Sequence, residues 1–406
     1  MLMRRPPELR AALELTRAGK LNAAMQTIQR ALAGPTGEAS QPAISPKVVD
    51  LASEEWTATD AAASPNATPL RSNRHDQSTR NRRPLRDVID ALNRLKPGGP
   101  FPISRPAGRP RPLHIPAGAR FETRSISLEA SGRTYKVYVP ARTLAEPRSL
   151  LIMLHGCTQD PDDFAAGTRM NELAEEHGFI VAYPAQPKSA NPSSCWNWFN
   201  PRDQMRGAGE PAIIAALTAD LIAEHDIDRR RVFAAGLSAG GGMAAILGAT
   251  YPDLYYAIGV HSGLPYRAAS DVVSALTVMR GQEMPGVSRS KGGREALHGA
   301  LVPTIVFHGA ADKIVHPSNG AQIINLDQGH WESYQVSDGA GRGYKRMISR
   351  DTSEQIMAEH WLIEGGGHAW FGGSVDGSYT DPLGPDASRE MVRFFFGASP
   401  PRDREP

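Results

Sequence analysis

A serine at position 238 stands in Gly236-Leu237-Ser238-Ala239-Gly240, directly after the apolar run Val232-Phe233-Ala234-Ala235 and shortly before a helix-like stretch at residues 243–249. A strand that turns at once into a helix forces a strained backbone on its middle residue, and small flanking residues keep that turn from clashing. The serine hydroxyl is then held out at the end of a sheet. It also sits at a helix N-terminus, whose dipole favours developing negative charge. The chemistry this spacing suggests is nucleophilic attack, which needs a base on the serine and a group that orients the base.

On such a scaffold the acid and then the histidine follow the nucleophile, each after a later strand. The apolar run Thr304-Ile305-Val306-Phe307 leads into His308-Gly309-Ala310-Ala311-Asp312, which places Asp312 on the loop just past a strand end. The run Trp361-Leu362-Ile363 leads into Glu364-Gly365-Gly366-Gly367-His368, and three glycines let His368 turn inward. Ser238, Asp312 and His368 are therefore the expected nucleophile, acid and base. His308 reads as a packed or hydrogen-bonded residue at a strand end. His316 lies only four residues from Asp312 on the same loop, and His261 ends a strand with no glycine-rich loop behind it.

Attack on a carbonyl also requires two backbone donors for the oxyanion. One is expected from Ala239, the residue after the nucleophile. The other is expected from His155-Gly156-Cys157-Thr158-Gln159, the loop after residues 149–154, with Cys157 N–H as the donor and His155 structural. Trp196 and Trp370 are candidates for a substrate wall, and the segment 268–299, rich in Ser, Gly and Met, for a cap over the acyl pocket. The two cysteines, Cys157 and Cys195, exclude a disulfide-dense scaffold and a four-thiolate zinc site. Loops that follow neighbouring parallel strands emerge at one edge, so a Cys157–Cys195 bridge is possible, and so are two buried thiols. Ten of the twelve histidines, all but His75 and His114, lie beyond residue 120, and none pairs with another His or a Cys at a ligand spacing. No metal is expected.

The elements that must position these residues repeat one form. Short apolar runs at 133–140, 149–154, 178–184, 231–236, 257–261, 303–308 and 360–363 mostly end in Gly, His or Pro. Helix-like stretches such as 163–177 and 211–225 lie between several of them. Strands alternating with helices predict an α/β fold, a mostly parallel sheet with helices on both faces. Ligands of such sheets sit beyond the carboxyl ends of the strands, where the chemistry-bearing residues gather.

Composition separates this body from what precedes it. Residues 1–120 hold 19 Lys+Arg against 10 Asp+Glu and 15 of the 33 prolines, while residues 121–406 hold 26 against 33. Residues 1–33 read as an amphipathic helical leader, with Leu21, Met25, Ile28 and Leu32 on one face. Residues 34–120 read as a basic, Pro-rich, largely disordered linker, 121–397 as the catalytic domain and 398–406 as a polar tail. The basic knot Arg80, Arg82, Arg83 and Arg86 offers a different class of function, a polyanion-binding protein. No aromatic residues interleave there for base stacking, so no nucleic acid is expected. The longest uncharged run, residues 232–252, carries five glycines and the serine turn, so no membrane span is expected. The start MLMRRPPELR lacks the apolar stretch of a secretory signal, which predicts a cytoplasmic protein.

Four segments together carry a resemblance: His155-Gly156-Cys157-Thr158-Gln159, Cys195-Trp196-Asn197-Trp198-Phe199, Gly236-Leu237-Ser238-Ala239-Gly240 and Gly367-His368-Ala369-Trp370. Over about residues 120–397 the chain resembles the poly(3-hydroxybutyrate) depolymerase family of esterases, which includes relatives acting on feruloyl and acetyl esters of plant polysaccharides. The resemblance implies an α/β-hydrolase fold, serine esterase activity and no cofactor. It assigns nucleophile, acid and base to Ser238, Asp312 and His368. It also implies an extracellular location, because many relatives are secreted. Polymer-degrading members often add a substrate-binding domain after the catalytic one, whereas this body ends close to Phe396. The expected partners are thus soluble ester oligomers such as hydroxybutyrate oligomers or small esters, with feruloyl or acetylxylan esters as the alternative.

Overall fold

The computed structural model describes residues 113–128, 131–142, 148–282, 302–326, 330–336 and 341–398. The expected helical leader, the basic linker as far as residue 112, residues 283–299 of the expected cap and the polar tail from residue 399 lie outside the described residues.

Ten strands form one sheet: β1 (Arg120–Leu128), β2 (Ser131–Val139), β3 (Arg148–Leu154), β4 (Ile180–Pro184), β5 (Ile227–Leu237), β6 (Ala257–His261), β7 (Thr304–Gly309), β8 (Glu332–Val336), β9 (Tyr344–Arg350) and β10 (Ile356–Ile363). They lie in the order β1-β2-β4-β3-β5-β6-β7-β10-β9-β8. The central strands from β4 to β10 pair in parallel, and antiparallel pairs close both edges. This is the α/β-hydrolase fold. From β3 the chain passes to β4 on one side and then to β5 on the other, which opens a crevice at the carboxyl ends of β3 and β5.

The helices cover both faces, as the alternation of the central strands requires. Leu150, Ile152 and Leu154 of β3 pack with α3 (Gly209–His225) and α4 (Ala239–Thr250). Leu151 and Met153 point the other way, towards α1 (Pro161–Thr168), α2 (Met170–His177) and α7 (Ala387–Ala398). Burial on both faces is what turns a central strand into a continuous apolar run. Two further helices, α5 (Val272–Met279) and α6 (Ser318–Ile323), a single 3-10 turn at Pro201–Gln204 and a two-stranded sheet of β11 (Trp370–Phe371) and β12 (Thr380–Asp381) complete the described fold.

Three features differ from the sequence reading. The helix expected at 163–177 is two helices, because Arg169 adopts φ 55° and closes α1. Strands β1, β8 and β9 had no counterpart among the predicted runs, since edge strands such as Arg120–Leu128 and Glu332–Val336 are largely polar and partly or fully exposed. Leu113, Ile115 and Ala119, which composition assigned to the linker, pack against the core.

Candidate active site

Ser238 sits between β5 and α4 with φ 58° and ψ −118°, the strained turn its neighbours predict. Its N–H donates to His261 O at 2.9 Å, and its carbonyl accepts from Gly242 N at 2.9 Å. The flanking glycines are steric requirements. A Cβ on Gly236 would collide with the backbone of Gly240, and a Cβ on Gly240 would collide with Leu154 O. Ala239 opens α4, so its N–H has no acceptor within the helix.

Asp312 and His368 meet directly. His368 Nδ1 lies 2.7 Å from Asp312 Oδ2, and both side chains are nearly or wholly buried. The other carboxylate oxygen accepts from Ile314 N and Val315 N, each at 2.9 Å. The two loops are bonded to each other as well, through Ala310 N to Ile363 O at 2.8 Å and Ala311 N to Gly366 O at 2.9 Å. Burial by itself would raise the Asp312 pKa. The hydrogen bonds from His308 and His368, and their charges, outweigh that and hold the carboxyl well below the usual range. An acid that stays ionised can keep a neighbouring imidazole in one tautomer.

The remaining histidines take structural places. His308 is buried, with Nε2 2.9 Å from Val315 O and 3.5 Å from Asp312 Oδ2, so it packs behind the acid. His316 turns away to Ser318 Oγ at 2.8 Å. His155 donates from Nδ1 to Gly156 O at 2.7 Å and accepts Gln186 N at Nε2 at 3.1 Å. His261 does more than end a strand. Its carbonyl takes the Ser238 amide, and its Nε2 accepts Phe371 N at 3.1 Å, which ties the serine turn to the segment after His368. Burial, joined by the charges of His308 and His368, keeps its pKa well below the usual range, so the ring is neutral and able to accept.

The loop after β3 faces the serine: a Cβ on Gly156 would stand 3.6 Å from Ser238 Cβ. The next residue, Cys157, is disulfide-bonded to Cys195, with Cα atoms 4.2 Å apart. Thr158 holds φ 65°, a rare conformation for a β-branched residue, and its hydroxyl meets Tyr379 OH at 2.9 Å. Among the described residues no cluster of His, Cys, Asp and Glu is arranged to hold a metal ion, and no helix is long and apolar enough to cross a membrane.

The substrate-wall expectation for Trp196 and Trp370 is corrected. Both are fully buried, at 0% and 1% exposure. Trp196 Nε1 donates to His155 O at 3.1 Å, and Trp370 Nε1 donates to Ser388 Oγ at 3.0 Å while its ring stacks on His261. Each indole needs an acceptor when buried and finds one in the core. Sequence reasoning also passed over Gln186, Glu210 and Tyr379. A glutamate in the first turn of a helix reads as an ordinary surface residue at that stage, and nothing in its neighbours announces burial.

Comparison with known proteins follows the same lines. A family model described as Esterase PHB depolymerase matches residues 133–342, a span that includes Cys157, Ser238 and Asp312 and stops short of His368. Poly(3-hydroxyalkanoate) depolymerase C of Paucimonas lemoignei is 32% identical over 230 residues, covering 54% of this chain and 54% of the depolymerase. The chain thus spans about half the length of that relative. Feruloyl esterase B of Neurospora crassa is 28% identical over 268 residues, covering 64% of this chain and 86% of the relative. In three dimensions the chain is similar to an acetyl xylan esterase from Aspergillus awamori, with a TM-score of 0.51 at 22% identity, covering 66% of this chain and 94% of the other.

Proposed function

We propose, from the premise that this chain belongs to the esterase PHB depolymerase family, that it is a serine esterase hydrolysing carboxylic esters through an acyl-enzyme. The observation that carries the reading is the 2.7 Å contact of His368 Nδ1 with a buried, ionised Asp312, on loops that share the carboxyl edge of the sheet with the Ser238 turn.

In this mechanism His368 Nε2 takes the Ser238 proton as the hydroxyl oxygen bonds to the ester carbonyl carbon. Asp312 holds the ring through Nδ1–H and stabilises the imidazolium. The carbonyl oxygen becomes an oxyanion facing the N–H groups of Ala239 and Cys157, each worth about 2.7–4 kcal/mol of barrier if typical of such donors. The C–O bond to the alcohol then breaks, and the proton on His368 passes to the departing oxygen. Water, activated by the same imidazole, releases the acid and restores the serine.

The proposed substrates are short hydroxyalkanoate oligomers or related small esters, a reading supported by the similarity to a poly(3-hydroxyalkanoate) depolymerase. A second reading, feruloyl or acetylxylan esters, draws support from coverage: the chain matches 86% of a feruloyl esterase and 94% of an acetyl xylan esterase structure. Rates on p-nitrophenyl acetate and butyrate, methyl ferulate, acetylated xylan and hydroxybutyrate oligomers, measured side by side, separate the two. Highest kcat/KM on hydroxybutyrate oligomers supports the first reading. Preference for ferulate or acetylxylan replaces it with the second, and no turnover of any ester rejects the esterase.

A further inference from the structure

A buried carboxylate stands behind the expected oxyanion loop. Glu210, in the first turn of α3, is 4% exposed. Its Oε1 accepts from Gln186 Nε2 at 2.5 Å and from Asn197 Nδ2 at 2.7 Å, and its Oε2 accepts from Asn197 N at 2.8 Å. All three partners are N–H donors, and the Arg133 guanidinium lies 3.7 Å away. The three contacting atoms are all donors, an arrangement that suits an anion.

These donors belong to the loop after β4, which carries Cys195, the disulfide partner of Cys157. Gln186 Nε2 also donates to Cys195 O at 2.9 Å, and Gln186 N donates to His155 Nε2 at 3.1 Å. Asn197 lies two residues after Cys195, which is bonded to Cys157. Trp196, between them, donates to His155 O. One carboxylate thereby braces both ends of the loop after β4, and that loop is tied to the loop after β3 by Gln186 N–His155, Trp196–His155 O and the Cys157–Cys195 bridge.

We propose that Glu210 is a positioning residue for ester hydrolysis, holding the Cys157 amide in place for the oxyanion through Asn197, Gln186 and the Cys157–Cys195 bridge. The inference rests on the esterase reading above. It also accounts for why an enzyme keeps a buried carboxylate that bears a cost. Burial, and then the neighbouring Asp203 carboxylate, push the Glu210 pKa up to about 7, against the three donated hydrogen bonds. Asp203 receives the Glu210 N–H at 2.7 Å and is itself pushed up by burial. Arg133 on β2, Asp203 on the turn before α3 and His155 beyond Gln186 are the charged or titratable groups gathered around it.

The test uses the full chain with its bridge intact, confirmed by mass, assayed well below the unfolding temperature. Glu210→Gln keeps the shape of the side chain but replaces one acceptor oxygen by a donor facing donors. With p-nitrophenyl acetate its kcat should fall about tenfold to hundredfold, part of the 10²–10³-fold typical of losing one oxyanion donor, while KM stays within about threefold. A boronic acid forms a B–O bond to Ser238 as the serine proton passes to His368, which mimics the tetrahedral state. Its affinity should weaken by about the factor lost from kcat/KM, as expected for a transition-state mimic. A merely structural role would lower the unfolding temperature and leave kcat and boronate affinity unchanged, which would overturn the inference. Should Glu210→Gln not fold, Gln186→Met decides in its place: it removes the tie between Glu210 and Cys195 O and should show the same parallel loss. If wild-type protein hydrolyses no ester, the esterase reading falls and this inference with it. If wild type is active and the variant matches it, only the inference falls.

Discussion

Cys157 and Cys195 are bonded across 38 residues of sequence, so that the loop after β3 is fastened to the segment that opens Cys195-Trp196-Asn197. Closing a loop of that length contributes about 4 kcal/mol on the chain-entropy model. The more local consequence concerns the amide of Cys157. Reduction of the bridge at moderate temperature should lower kcat about tenfold or more if the oxyanion donor is displaced, while the circular dichroism of the sheet and helices persists. Full activity in protein whose two thiols both alkylate would contradict this.

Ser238→Ala should lose activity by a factor on the order of 10⁴ or more, because nucleophile, acid and base act as a unit. Retention of a tenth of the rate would sink the assignment of the nucleophile. The strained φ of 58° adds a second expectation. Ser238→Gly, equally inactive, should be about 1 kcal/mol more stable than Ser238→Ala in denaturant titrations, since glycine carries no steric penalty in that conformation.

The acid and base divide two histidines cleanly. His368→Ala should be as damaging as Ser238→Ala, and Asp312→Asn should reduce the rate about 10⁴-fold by favouring the wrong tautomer. His316, hydrogen-bonded to Ser318 and exposed, should tolerate replacement by alanine with little change in kcat. Equal losses from His316→Ala and His368→Ala, measured on one chromogenic ester, would overturn the choice of base.

Stability should carry the signature of Glu210. Its pKa in the folded protein is about 7, above the ordinary carboxyl value of 4.5, so between those values the native state binds more proton than the unfolded chain. The contribution of this group therefore falls as pH rises from 4.5 to 7, by about 3 kcal/mol in all at 1.36 kcal/mol per pKa unit. Asp312 works in the opposite sense. Its lowered pKa stabilises the fold above the ordinary carboxyl range, and that stabilisation is lost in acid. Urea unfolding of wild type and Glu210→Gln at pH 5 and pH 8 isolates the first effect. Wild type should lose stability relative to the variant on going to pH 8, and a difference independent of pH would refute it.

The amino-acid sequence alone determined the central strands and the glycine-flanked turn at Ser238, because both leave local marks. A strand buried on two faces must be apolar throughout, as Leu150 to Leu154 are, and a strand-to-helix turn with no room for a Cβ must use glycine, as Gly236 and Gly240 do. What only the tertiary structure decided were contacts between residues far apart in the chain. Strands β9 and β8 are held by pairing, β9 to β10 and β8 to β9, more than by their own hydrophobicity, so their largely polar residues carried no strand signal. The indoles of Trp196 and Trp370 suit a core and a binding wall equally well as residue types. Their acceptors, His155 O and Ser388 Oγ, fixed the answer from 41 and 18 residues away. Glu210 was invisible for the same reason: a carboxylate on the first turn of a helix is commonly solvated, and its burial follows from three donors on loops that the fold, rather than the local sequence, brings around it.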